Sequence, residues 1–150
     1  MTEVLFYHLQ AQPVERVLPV LLEKSLERGW RVVVHTMLEE RIDALDAHLW
    51  TFRDDSFLPH GTFREPTATH QPVLLTVRDD NPNGATVRFL LDGAPMPGDA
   101  GQYERLVLMF DGGDDGAVAE ARQRWQAARV QGFAVTYWQA DANGRWQRRA

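Results

Sequence analysis

The sequence has no cysteine and only one lysine, Lys24. The absence of cysteine excludes disulfides, thiolate catalysis and thiolate metal sites. No apolar run approaches the roughly 18 residues of a membrane-spanning helix. The first ten residues, MTEVLFYHLQ, contain neither a basic segment nor a long apolar one, so no secretion signal is expected. These absences predict a cytoplasmic protein that does not bind the membrane.

The chain has fewer basic than acidic residues, 16 against 21, so its net charge is −5. Such a chain lacks the broad basic surface that nonspecific binding to duplex DNA requires. Any recognition of an anion must therefore be local. The hydrophobic share of 44% and the charged share of 25% are those of a globular protein. A length of 150 residues suits a single domain over residues 1–150.

The sequence motifs of catalysis are missing as well. The turn after the first apolar segment reads QAQPVE and has no glycine, whereas dinucleotide binding requires G-x-G-x-x-G. No P-loop motif occurs, no pair of histidines has the spacing of a zinc site, and neither serine lies in G-x-S-x-G. We therefore expect no catalytic residue, no metal site and no cofactor.

Apolar patterns typical of strands and of helices follow one another along the chain. Runs rich in β-branched and aromatic residues predict strands at 3–9, 30–36, 72–77, 85–92, 104–112 and 133–139. Helical spacing predicts helices at 14–28, 36–50 and 114–131. Residues 51–72 and 93–102 are predicted to be loops, and 140–150 a turn with a frayed tail. This order predicts an α/β fold, a Rossmann-like open and mostly parallel sheet flanked by helices in a single domain.

Local signals predict where the helices begin and end. Thr36 and Glu39 have the spacing of a capping box at the start of the second helix. Gly29 and Gly132 follow the first and third helices, where a residue with positive φ commonly ends a helix. Arg124 lies among the alanines of the third helix and needs a carboxylate partner, for which Glu120, one turn earlier, is a candidate.

The third predicted helix carries an aromatic and cationic stripe. Four residues at helical spacing fall on one of its faces: Val118, Arg122, Trp125 and Arg129. In one interpretation Trp125 belongs to the core and the arginines are solvated. In the other, Trp125 is the wall of a pocket rimmed by Arg122 and Arg129. Such a pocket suits a ligand with an apolar side chain beside a carboxylate, because guanidinium groups pair bidentately with carboxylates.

A second cluster, HLWTFRDDSFLPHG at 48–61, places large apolar side chains at a helix end and in the loop after it. Trp50, Phe52, Phe57 and Leu58 belong to it, and Pro59 stiffens the loop. A loop with this composition either tucks into the core or covers a partner. The residues by themselves leave both interpretations open.

Four segments resemble the chi subunit of bacterial DNA polymerase III, in order and over nearly the whole chain: FYHL, GWRVVVHT, LW followed by SFLPHG, and RQRWQAARVQGFAVTYW. The resemblance implies a Rossmann-like fold without polymerase or nucleotide-binding activity of its own. It implies an accessory subunit that links the clamp loader, through the psi subunit, to the C-terminal tail of single-stranded-DNA-binding protein during replication. That tail is acidic and ends in an apolar residue with the terminal carboxylate, so contact with DNA is mainly indirect.

The resemblance also implies roles for particular residues. In the tail-binding site of the family, basic residues match Arg122 and Arg129, an aromatic residue matches Trp125, and a glycine matches Gly132. Val118 stands where the family can place a lysine, so attraction for the acidic tail is expected to be weaker here.

The psi-binding face of the family lies at the helix and loop of the second cluster. Its tryptophan and phenylalanine match Trp50 and Phe57, and Pro59 and His60 complete the matched motif. A helicase-like partner for this protein stays an open alternative.

Two alternatives come from other classes of function. One is a small nucleotide-binding enzyme on the same α/β fold, against which the missing glycine loops argue. The other is direct binding of single-stranded DNA, with Trp125, Tyr137 and Trp138 as a stacking platform.

Overall fold

The computed structural model describes residues 2–10, 12–53 and 57–150. Within these ranges a single sheet is flanked by three α-helices, as the α/β prediction requires. The helices are α1 (Val14–Glu27), α2 (Glu39–Thr51) and α3 (Asp115–Val130). The strands are β1 (Glu3–Leu9), β2 (Val32–His35), β3 (Gly61–Thr62), β4 (Val73–Thr76), β5 (Val87–Leu90), β6 (Arg105–Asp111), β7 (Ala134–Ala140) and β8 (Trp146–Arg148).

The eight strands lie in the order β3-β4-β2-β5-β6-β1-β7-β8. Strands β1 to β7 are parallel to their neighbours, and β8 pairs antiparallel with β7 at one edge. The prediction of an open, mostly parallel sheet is therefore confirmed. The central strands are buried on both faces, which explains their nearly continuous apolar sequences.

Two helices cover one face of the sheet and the third covers part of the other. Helices α1 and α2 bury Leu18, Leu22, Ile42 and Leu45 in the larger core cluster. Helix α3 contacts β6, β1 and β7 on the opposite face through small residues, of which Ala121 and Ala128 are buried. Small side chains let this helix lie close to the sheet.

The predicted frayed tail is a strand. Residues 146–148 form β8, and the turn before it is held by Asp141, whose carboxylate accepts the backbone N–H groups of Asn143 and Arg145. Trp146 packs edge-on against Tyr7 of β1, with 5.0 Å between the ring centroids. Tyr7 and Trp146 lie near opposite ends of the sequence, so no local pattern predicted this contact. The loop predicted at 51–72 likewise contains the short strand β3.

The capping-box prediction was wrong, whereas the glycine predictions were confirmed. Helix α2 begins at Glu39 without a side-chain cap. The Thr36 hydroxyl instead donates a hydrogen bond to Asp92 Oδ2 at 2.6 Å, because the fold brings that distant carboxylate beside it. Gly29 and Gly132 adopt φ of 78° and 89° directly after α1 and α3, in the left-handed region that favours glycine.

Helix α3 leaves the β4, β2 and β5 part of its face of the sheet uncovered. Loops cover that part and surround the buried side chain of Arg88 in β5. Arg88 has no exposed surface. Its guanidinium donates to the carbonyl oxygens of Arg78 (2.6 Å) and Asp80 (2.8 Å) and to His35 Nδ1 (3.0 Å), and it lies 3.4 Å from the Tyr103 hydroxyl. A buried cation is tolerated only when hydrogen bonds replace its lost hydration. These hydrogen bonds hold the β4–β5 connection on the sheet. Tyr103 adds a contact from the β5–β6 connection.

We predict that Arg88→Ala lowers the free energy of unfolding by about 3 kcal/mol, because several charge-assisted hydrogen bonds are lost and a cavity opens. Arg78→Ala is the matched control. Its exposed side chain lies over the Phe63 ring, so its loss is expected to cost less than about 1 kcal/mol. Urea unfolding of both variants measures the difference, and equal effects would contradict the role of Arg88.

A pH dependence follows from His35, whose imidazole accepts the hydrogen bond from Arg88. Burial, reinforced by the Arg88 charge, lowers the pKa of His35 below its ordinary value of 6.5. The unfolded chain then binds the proton more readily than the folded one, so the stabilisation is complete above about pH 6.5 and is lost as the pH falls through the lowered pKa.

We therefore expect the unfolding free energy to decrease from pH 7.5 to pH 5.5, and to decrease less in His35→Asn. The asparagine keeps an acceptor for Arg88 but does not titrate. His8, whose pKa is also lowered, contributes equally to both proteins, so their difference reports on His35. Identical pH slopes in urea unfolding would rule His35 out.

Candidate protein-binding surfaces

Helix α3 positions the predicted aromatic and cationic stripe. Asp114 caps its first turn by accepting hydrogen bonds from the backbone N–H groups of Gly116 and Ala117. Gly132 ends the helix and turns the chain into β7. With Ala121 and Ala128 against the sheet, the stripe lies along the edge of the helix that faces β7.

The stripe combines a half-buried indole with exposed guanidinium groups. Trp125 and Val118 are half-buried, and Arg122 and Arg129 are exposed. Trp125 packs against the core beside residues of β7, and the Arg129 guanidinium lies over its ring at 4.7 Å from the centroid. Trp125 therefore packs against the core and supports the Arg129 guanidinium on its ring. The pocket of the second interpretation stays a prediction. The indole Nε1 is a buried donor without an acceptor among the described residues.

A histidine and a tyrosine from the sheet lie below Arg122. Tyr137 of β7 and His8 of β1 are joined by a hydrogen bond of 2.7 Å between the hydroxyl and Nδ1. Burial lowers the pKa of His8, and the nearby Arg122 charge lowers it further, while Asp111 opposes the shift. Burial raises the pKa of Tyr137, and Arg122 partly offsets that shift. Both groups therefore stay uncharged near neutral pH, and the charges that act on them are those of Arg122 and, for His8, also Asp111.

Sequence reasoning missed this pair, although the strand alternation carried the signal. His8 lies on the same side of β1 as Phe6, and Tyr137 on the same side of β7 as Val135, which belong to the core under α3. Gly112 lets the backbone approach the imidazole, because a Cβ at this position would lie 2.1 Å from His8 Nε2.

Arg124 has the structural role that its position among the alanines suggested. It forms the predicted ion pair with Glu120. It also donates to the carbonyl oxygens of Ala94 (2.6 Å) and Gly93 (2.9 Å), which follow β5. The arginine thus ties the outer edge of α3 to a loop and is not part of the stripe.

The second cluster divides into buried and exposed members. Leu58 and His60 are buried, at 2% and 4% exposure. The ring nitrogens of His60 face the Leu58 carbonyl oxygen (2.7 Å) and the Asp46 carboxylate (3.0 Å). These contacts anchor the loop on α2, and Pro59 between them is half-buried.

Two aromatic side chains of this cluster, Trp50 and Phe57, remain outside the core. Trp50 is 51% exposed and Phe57 is 74% exposed. Their ring centroids are 5.9 Å apart, and Trp50 also lies 4.4 Å from the His60 ring. We call Trp50 and Phe57 the aromatic pair. Large exposed apolar groups in contact with each other are typical of a protein interface.

The structure separates the three aromatic residues of the proposed DNA-stacking platform. Trp125 and Tyr137 lie on the α3 face of the sheet. Trp138 follows Tyr137 in β7 and therefore points to the opposite face, where it stacks on Tyr7 with 6.4 Å between centroids. The three rings do not form one continuous surface.

A cavity of about 910 Å³ opens at the carboxyl ends of β1, β5 and β6, where α/β proteins commonly bind nucleotides. Its lining is acidic and includes a single cation, Arg41, which pairs with Glu15 and Asp92. The other carboxylates in the lining are Asp111, Asp114 and Glu120. Such a lining repels phosphate groups, so the geometry does not favour the nucleotide-binding alternative.

The part of the chain that the structure describes contains neither a cluster of metal ligands nor a membrane-spanning helix. No three histidine or acidic side chains there are grouped as metal ligands. No helix within the same ranges has the length and apolarity needed to cross a bilayer.

The fold and these surfaces define a class of protein. It is an α/β sheet protein in which the position that commonly holds a nucleotide is acidic, and in which an aromatic pair and several arginines are exposed.

Comparison with known proteins identifies the family. Residues 1–136 match the DNA polymerase III chi subunit (HolC) family. The chain is 27% identical over 139 residues to the DNA polymerase III subunit chi of Pseudomonas aeruginosa, covering 90% of this chain and 94% of that protein. It is 28% identical over 91 residues to the probable DNA polymerase III subunit chi of Rickettsia prowazekii, covering 61% of this chain and 55% of that protein. The chain belongs to the DNA polymerase III chi subunit family, whose role is in DNA replication.

Proposed function

We propose that this protein is a non-catalytic accessory subunit of the DNA polymerase III holoenzyme in the cytoplasmic replisome. It links the clamp loader, through a psi subunit, to the C-terminal tail of single-stranded-DNA-binding protein. Family membership supports the setting in replication. The observation that carries the adaptor role is the exposed edge of α3, where Arg122 and Arg129 flank the half-buried Trp125.

The tail site is proposed from the chemistry of that edge. The apolar side chain of the last tail residue would pack on the Trp125 indole, and the terminal carboxylate would pair with the guanidinium of Arg122 or Arg129. Gly132 ends the helix so that β7 runs back beneath the site. Val118 offers apolar contact in place of a cation. Since the whole chain is acidic, binding depends on short-range contacts and weakens with salt.

The psi site is proposed at the aromatic pair. Trp50 and Phe57 supply exposed apolar area of the kind that dominates binding energy at interfaces. Pro59 and the buried His60 would act through the loop, by holding Phe57 beside Trp50.

The tail site is tested with a peptide ending in Asp-Asp-Ile-Pro-Phe, prepared with a free carboxylate and with a C-terminal amide. We expect saturable binding of the free peptide, measured by tryptophan fluorescence, and loss of binding on amidation. Arg122→Ala should weaken binding about tenfold, because a charge-assisted pair is removed, while Arg78→Ala should bind like the wild type. Wild-type affinity in Arg122→Ala would show that the proposed pocket is wrong.

The psi site is tested by co-purification with the psi subunit of the same organism. We expect Trp50→Ala and Phe57→Ala each to weaken the complex by more than tenfold, since each removes a large exposed contact. Arg122→Ala is the cross-control, because it should lose the tail peptide and retain psi. Retention of psi by both aromatic variants, with their folding verified by thermal unfolding, would place that partner elsewhere.

A further inference from the structure

The charge of the chain is divided unevenly between its two parts. Residues 118–150 contain six arginines and two acidic residues, Glu120 and Asp141, and so carry a net charge of +4. The preceding 117 residues carry −9. Helix α3 begins earlier, at Asp115, so the segment that forms α3, β7 and β8 carries +3 and is cationic in an otherwise acidic protein.

Most of these arginines have no acidic partner. Arg124 is occupied by Glu120 and by two backbone carbonyls. Asp141, the acidic residue of the β7–β8 hairpin, accepts from two backbone N–H groups and from Gln147 Nε2 (3.0 Å). Within the described ranges, four exposed arginines make no ion pair with an acidic side chain, namely Arg122, Arg129, Arg145 and Arg149, whereas Arg148 Nε donates to Ala150 O at 3.0 Å. Exposed cations without an acidic side-chain partner favour an anionic ligand.

The hairpin places one of these arginines across β7 from α3. The Arg149 backbone N–H donates to the Tyr137 carbonyl oxygen at 2.7 Å, and the Tyr137 N–H donates to Ala150 O at 3.3 Å. Residues opposite each other in an antiparallel pair share a face of the sheet. The backbone of Arg149 therefore lies beside Tyr137, and continuing the alternation of β8 by one residue assigns its side chain to the α3 face.

Its neighbour in sequence has the other orientation. Arg148 lies opposite Trp138, on the face of the sheet away from α3. Arg148 and Arg149 thus carry the same charge at adjacent positions but on opposite faces.

We propose that the β7–β8 hairpin is the second wall of the tail-binding groove, and that Arg149 binds an acidic side chain of the peptide upstream of its terminal apolar residue. This inference rests on the proposed tail site. A carboxylate bound above Tyr137 would meet the Arg122 guanidinium from α3, and the Arg149 guanidinium would reach it from the hairpin, whose backbone pairs with Tyr137.

The hairpin compensates for the uncharged Val118. That position of α3 offers no cation, and Arg149 supplies one from the opposite wall. Residues 137–150 lie outside the match to the family, so the contact is proposed for this chain and not for the family as a whole.

The test compares Arg149→Glu with Arg148→Glu, which change the net charge equally but on opposite faces. Two peptides with free C-termini are used, one ending in Asp-Asp-Ile-Pro-Phe and one ending in Asn-Asn-Ile-Pro-Phe. Affinity is measured by the anisotropy of labelled peptide at low and moderate salt. Thermal unfolding verifies that each variant folds, and Arg149→Gln provides a milder change at the same position.

We expect the wild type to bind the aspartate peptide about tenfold more tightly than the asparagine peptide at low salt. Arg149→Glu should abolish that preference, Arg149→Gln should reduce it, and Arg148→Glu should keep it. Equal losses in the two glutamate variants would indicate only a long-range charge effect and would overturn the inference.

The two proposals fail in distinguishable ways. A wild-type protein that requires the terminal carboxylate but binds both peptides equally would overturn the role of Arg149 alone, as would an unchanged preference in Arg149→Glu. A wild-type protein that binds neither peptide would overturn the tail site and, with it, this inference.

Discussion

The buried guanidinium of Arg88 is the interaction on which the arrangement of this fold depends. A cation without solvent contact must replace its hydration with hydrogen bonds, and here the acceptors come from the β4–β5 connection and from β2. The loops are thereby held over β4, β2 and β5, and the single helix on that face covers only β6, β1 and β7. Arg124 ties one edge of α3 to Gly93 and Ala94, which follow β5. The other edge of α3 stays open toward β7 and β8. The candidate tail site lies along that open edge.

The two candidate surfaces lie toward opposite ends of the sheet. The aromatic pair belongs to α2 and the loop before β3, and α2 contacts β3 and β4 at one end. The cationic edge of α3 lies beside β7 and β8 at the other end. The outermost strands are separated by seven strand spacings of about 4.8 Å, or roughly 30 Å. The two proposed binding surfaces are therefore well separated, as the proposed adaptor role requires.

Local sequence patterns predicted much of the architecture, because they report interactions between near neighbours. Helical spacing correctly indicated α3 and the pairing of Arg124 with Glu120, and glycine correctly indicated the ends of α1 and α3. The capping box failed because Thr36 found a distant acceptor in Asp92. The prediction of a frayed tail at 140–150 was wrong because the strand there is stabilised by β7 and by Tyr7, which are distant in the sequence.

The sequence by itself determined the α/β alternation, the absence of a glycine-rich phosphate loop, and the stripe of Arg122, Trp125 and Arg129 on one helix face. Each of these follows from residue type and short-range periodicity. Only the tertiary structure decided which side chains remain exposed and which arginines share a surface. It buried His60 but left Trp50 and Phe57 outside, placed Trp138 on the opposite face from Trp125, and brought the backbone of Arg149 beside Tyr137. The exposure of a side chain and its neighbours across strands depend on how elements distant in the chain pack together. A pattern of neighbouring residues therefore cannot predict them.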